Sequence, residues 1–177
     1  MTFMKGVGQE QDSKFRLSRL NMFLFDLQQA RRFAQYILRR KWPKVIDPQS
    51  RLGLVREAFN TSLIISYCRP FHGSREGQGL PDARLNLDLV ELNDAERAFH
   101  QKVLDKRDQA YAHSDAIAHE IEGWDYSGSM VQFYNLIYPL TDDEIRMLAA
   151  MIGKWIKHLD EQRAMLKKSN LVQNRER

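Results

Sequence analysis

Cysteine is almost absent from this chain of 177 residues: Cys68 stands alone, which excludes an internal disulfide and any fold that depends on one. Its apolar neighbours mark it as a small buried thiol rather than a nucleophile. Long hydrophobic runs are also missing, and the most apolar stretch, 61–67, is far too short to cross a bilayer. Residues 1–14 lack the apolar core of a secretory leader, so the expectation is a cytoplasmic protein with no membrane role. Neither a glycine-rich phosphate loop nor a serine nucleophile elbow occurs, which sets aside two common enzyme plans. Acids are absent from 31–44, where Arg31, Arg32, Arg39, Arg40, Lys41 and Lys44 crowd together.

What is present describes a folded domain. Hydrophobic residues at 43% and charged residues at 28% are ordinary globular values, and the length suits one core rather than two. The reading is a frayed segment over 1–13, one domain over 14–168 and a flexible basic tail over 169–177. The net charge of +4 is unevenly spread, with cations in 31–44 and from Lys154 onward and acids around 82–96. Clustered cations suit a polyanion such as RNA, because they release counterions from phosphates, and they equally suit solvated helix faces.

Hydrophobic spacing predicts helices. Over 15–40 the apolar residues recur at steps of three and four, and Pro43 closes the segment. A second helix over 52–68 is apolar on two sides, which predicts the central and most buried helix. It ends before Pro70, and 71–88, with Gly73, Gly77, Gly79 and Pro81, reads as a long loop and a candidate lid. Asn93 and Glu96 have the form of a helix start, and the third helix is expected to run to about Glu120. A short aromatic helix follows over 130–138, ended by Pro139, and Thr141 with Glu144 opens a strongly amphipathic helix to about Lys168. The expected fold is all-α, an antiparallel bundle of four main helices plus the short aromatic one.

One cluster interrupts this regularity. On a helical wheel centred on Val103, the residues Leu92, Phe99, Ala110 and Ile117 fall within about 40° and define a buried stripe. Arg107 lies about 40° to one side and Ser114 about 20°, with His113 about 80° to the other. A guanidinium beside a buried stripe needs an acid partner inside the core or a cleft that opens there. On a straight helix Arg107 and His113 are about 9 Å apart along the axis and about 120° apart in azimuth, so one chain does not grip a single phosphate with both. His113, Asp115, His119 and Glu120 lack a shared helical face, so no metal site is expected. His72, His100 and His158 stand singly and read as surface residues. The aromatic group Trp124, Tyr126, Phe133, Tyr134 and Tyr138 suits core packing more than base stacking.

Arg107, the polar Asp108, and His113 after four intervening residues resemble the signature of the HEPN family. The run from Leu104 to Asp115 looks like the form seen in HEPN proteins related to abortive-infection and toxin systems, and the run Ile65 to Phe71 resembles the end of the preceding helix in that group. The resemblance implies a helical bundle that forms homodimers, two motif copies facing across a cleft, and in active members metal-independent RNA cleavage without a cofactor. Carried over by position, His113 acts as general base or acid, Arg107 stabilises the phosphorane charge, and Asp108 orients a neighbour. Arg69, Tyr111 and Ser114 are the implied RNA contacts. A prokaryotic toxin or effector, with RNA as substrate and an antitoxin protein as partner, follows from the same resemblance. Two readings stand beside it: a non-catalytic helical module binding RNA, a nucleotide or a protein through the same cleft, and a purely structural bundle.

Overall fold

The computed structural model describes residues 5–40, 42–43, 46–47, 50–72, 84–108, 119–121, 133–135 and 139–173. Four helices dominate: α1 (Lys5–Arg39), α2 (Arg51–Cys68), α3 (Asp94–Lys106) and α4 (Asp142–Gln173). The fold class is all-α, as the hydrophobic period predicts. Two three-residue strands, β1 (His119–Ile121) and β2 (Phe133–Asn135), pair antiparallel with Glu120 opposite Tyr134.

α1 is the spine and packs along both α4 and α2. Its buried residues Leu24, Leu27, Ala30, Ala34 and Ile37 follow one another at three and four residue steps, so a single stripe faces the core. α2 runs antiparallel to α1. At one end Phe59 meets Phe33 and Tyr36 at ring-centre distances of 5.9 and 4.2 Å, and at the other Arg69 reaches Asp26 at 3.3 Å. The start of α2 is capped by Ser50, whose hydroxyl accepts from the Gly53 amide at 3.0 Å.

Both sequence-predicted capping pairs form. The Asn93 side chain accepts from the Glu96 amide at 2.9 Å and Glu96 accepts from the Asn93 amide at 3.0 Å. Thr141 and Glu144 make the equivalent pair at 3.2 and 2.8 Å. α4 then buries Ile145, Leu148, Met151, Ile152, Trp155, Ile156 and Leu159. Within it, a Cβ added at Gly153 would meet nothing within 4 Å. Gly153→Ala is therefore expected to stabilise the protein by about 0.5–1 kcal/mol, read as a higher urea midpoint, because the methyl costs no packing and removes backbone freedom from the unfolded chain.

Four expectations need correction. α1 begins at Lys5 rather than near Lys14, and α4 continues to Gln173. α2, by contrast, has the largest share of buried residues among the described parts of the four helices, seven of 18, as its two-sided apolar pattern predicts, although Leu54 and Val55 near its start are exposed. The third helix does not reach Glu120: the α-helix ends at Lys106, a wider π-type turn takes in Arg107 and Asp108, and His119–Ile121 is a strand. Nor does a helix span 130–138, because Phe133–Asn135 is the partner strand. The physical reason is shared, since paired strands satisfy each other's backbone groups and three residues are too few to show alternation in the sequence.

The ends of the long loop are anchored. Pro70 and Phe71 are buried in a 3-10 turn, and the Leu85 amide returns to the Pro70 carbonyl at 2.8 Å with Leu85 itself buried. Residues 73–83, the rest of the candidate lid, lie outside those described.

Candidate functional site

The described part of the stripe is where the wheel places it, with Phe99 and Val103 of α3 and Leu92 just before it all enclosed, while Ala110 and Ile117 lie outside the described residues. Two polar residues share it. Glu96, about 20° from Val103 on the wheel, is buried and receives Lys154 of α4 at 2.8 Å. The hydrogen bond from Lys154 holds its carboxyl below the usual carboxylate range, against the opposing effect of burial. Glu96 thus caps α3 and ties it to α4. Glu96→Ala is expected to cost about 1–3 kcal/mol in chemical denaturation, because the cap and the Lys154 contact are lost together.

His100 is the second. Its Nδ1 lies 2.7 Å from the Tyr67 hydroxyl, and its ring stands edge-on to Phe71 at 4.7 Å. Phe71 in turn packs against Trp155 at 5.2 Å, so α2, α3 and α4 meet in one aromatic group. Burial brings the His100 pKa down to about 4, assisted by His72 nearby. The neutral imidazole shares this hydrogen bond with an un-ionised tyrosine, whose own ionisation burial pushes far above its ordinary range. The surface assignment of His100 is therefore corrected: the residue is buried, with Tyr67 at its Nδ1 and Phe71 packed against its ring.

Beside this group lies the polar cluster. Cys68 ends α2 fully buried, with its thiol against the Val103 carbonyl at 3.7 Å. Burial pushes its pKa up to about 12, which leaves an inert thiol as the sequence suggests. Its carbonyl faces Nδ1 of His72 at 3.3 Å, and Nε2 of His72 faces Oδ1 of Asp108 at 3.0 Å. Nη1 of Arg107 donates to the same carboxylate oxygen at 2.6 Å. Burial raises the Asp108 carboxyl, but the hydrogen bonds from Arg107 and His72 outweigh it and hold it below the usual range.

Arg107 is half-buried, and the acid that answers it is its own neighbour in sequence. Its amide donates to the Val103 and Leu104 carbonyls at the turn, which sets the side chain at the end of the stripe. Asp108 engages Nη1 of the guanidinium, one end of a fork with five N–H donors. Arg69, exposed, pairs with Asp26 at 3.3 Å. The structure thus brings Arg107 and Asp108 together with His72. His113, Tyr111 and Ser114 lie outside the described residues.

His72 is the residue that the sequence reading misses. It lies 36 positions from Asp108, and its one available signal is its place directly after the run Ile65 to Phe71. Among the described residues no group of three His, Cys, Asp or Glu side chains is placed to hold a metal ion, and no helix is long and apolar enough to cross a membrane. Comparison with protein-family models, curated proteins and solved structures finds no match.

Proposed function

We propose that this chain is a HEPN-like, metal-independent endoribonuclease that acts as a homodimer, with Arg107, Asp108 and His113 as its reacting groups. The observation that carries the reading is the Arg107–Asp108–His72 cluster: a guanidinium is held at a helix end by a carboxylate that a histidine anchors in turn. Such an arrangement orients a cation without neutralising all of its donors, which is what stabilising charge on a pentacoordinate phosphorus requires. His72 is a positioning residue, acting on the phosphate only through Asp108. His113 supplies the proton transfer, taking the ribose 2′-hydroxyl proton or giving one to the leaving 5′-oxygen. The reading includes a second copy of the chain, whose motif faces this one across a cleft. A toxin or effector restrained by an antitoxin protein fits such an activity.

Purified protein is expected to cut single-stranded RNA in EDTA and to leave cyclic phosphate ends. His113→Ala is expected to abolish cutting, and Arg107→Ala to slow it by about 10²–10³-fold, with little change in melting temperature. Cutting at the wild-type rate by His113→Ala protein overturns the assignment. The competing module reading is favoured by one feature, the two donors already on Oδ1 of Asp108. It predicts RNA binding with no cleavage by any form.

A further inference from the structure

The last two turns of α1 carry a second cluster. Arg32, Gln35, Tyr36, Arg39 and Arg40 are spaced i, i+3, i+4, i+7 and i+8, so they fall on one face, and together they line a groove of about 360 Å³. Arg32, Arg39 and Arg40 are exposed, and no acid pairs with any of them among the described residues. Three like charges on one face raise the local potential and attract a polyanion. Tyr36 lies among them with 39% of its surface open. One side of its ring is stacked on Phe59 at 4.2 Å and 30°, which fixes its plane and leaves the remainder free to take a base. The helix end is prepared as well: the Trp42 indole donates to the Ile37 carbonyl at 2.9 Å, covering one of the terminal carbonyls that would otherwise repel phosphate.

We propose that the Arg32–Gln35–Tyr36–Arg39–Arg40 face of α1 is a binding site for single-stranded RNA, with the arginines on consecutive phosphates and Tyr36 stacked on one unpaired base. This rests on the endoribonuclease reading, for which it supplies the substrate-holding surface. Asp26, ten residues before Tyr36, is joined to Arg69 just beyond α2, so the groove lies about 15 Å along α1 from the level at which the chain turns toward His72 and Asp108. A strand of several nucleotides covers that span. Charge complementarity selects a polyanion, and the open tyrosine selects an unpaired base over a duplex.

The test uses the full chain and a fluorescein-labelled 12-nucleotide single strand of 2′-O-methyl RNA, which cannot be cut, so that binding is read apart from catalysis. Anisotropy titrations between 50 and 200 mM salt compare the wild type with a protein carrying Arg32→Gln, Arg39→Gln and Arg40→Gln together. Removal of three phosphate contacts is expected to lower the slope of log affinity against log salt by about 2 and to weaken binding by about tenfold or more at the lower salt. Tyr36→Leu is expected to reduce the preference for the single strand over a duplex of the same sequence.

Wild-type affinity and slope in the triple variant overturn the proposal. So does a lower melting temperature with unchanged RNA binding, which makes the arginines supports of the helix end alone. Loss of binding only to vesicles containing phosphatidylserine also overturns it, making the face a membrane-surface site. The two readings fail separately. RNA binding that falls as expected, in a protein that never cuts, removes the nuclease and keeps the groove; cutting that persists with unchanged binding in the triple variant does the reverse.

Discussion

Trp155→Ala is expected to destabilise the protein by about 3–5 kcal/mol, a fall of about 10 °C in melting temperature for a chain of this size. Trp155 is fully buried on α4, and its loss removes both transfer energy and the wall on which Phe71 rests at 5.2 Å. The effect travels outward along the chain. Phe71 is the last residue of the 3-10 turn after α2, and His72 follows it directly, so a Phe71 free to shift carries His72 away from Asp108. Scanning calorimetry checks the stability, and a proton spectrum of the His72 ring checks the second effect. Trp155→Phe separates shape from polarity. Its ring fills most of the same space, and the indole N–H it removes has no acceptor among the described residues, so the expected cost is about 1–2 kcal/mol. A cost for Trp155→Phe equal to that for Trp155→Ala contradicts this account.

Acid is expected to remove about 3 kcal/mol of stability between pH 6.5 and pH 4 through His100 alone. The folded-state pKa is about 4 and the ordinary value 6.5, so in that window the unfolded chain binds the proton that the folded chain refuses. Stability therefore falls as pH falls through the window, and levels off below the folded value. The carboxylates act in a lower window. Glu96, Asp108 and Glu144 all have depressed pKa values, so their contributions are present above the usual carboxylate range and are lost as pH falls below it. Urea midpoints at half-unit steps distinguish the two. In His100→Gln the decline above pH 4.5 should vanish while the decline below it persists. A decline above pH 4.5 that survives the substitution assigns it to another group.

The sequence was most informative where a local rule acts without tertiary help. The Asn93–Glu96 and Thr141–Glu144 pairs form as their spacing predicts, because a helix start satisfies its own amides within one turn. The apolar steps of α1 and α4 likewise locate their buried stripes, since the helical period alone determines which residues share a face. Glu96 was legible in principle, as it falls on the stripe of α3 by the same wheel that exposed Arg107. What hid it is that its partner, Lys154, comes from another helix.

The site divides in the same way. That Arg107 is an anomaly beside an apolar stripe, and needs a partner, follows from helical geometry and the cost of an unpaired charge. Which partner answers it does not, because Asp108 turns back to Arg107 only where the helix widens, and takes its second donor from His72 across 36 residues. His100 makes the same point: polar neighbours in sequence say surface, whereas Tyr67, Phe71 and the core beyond them say interior. Sequence by itself therefore determined the helical class, the capped starts and the residues competing for the core. Tertiary structure decided the partners, because hydrogen bonds and charges are satisfied by whatever packing brings within about 3 Å, whatever the separation along the chain.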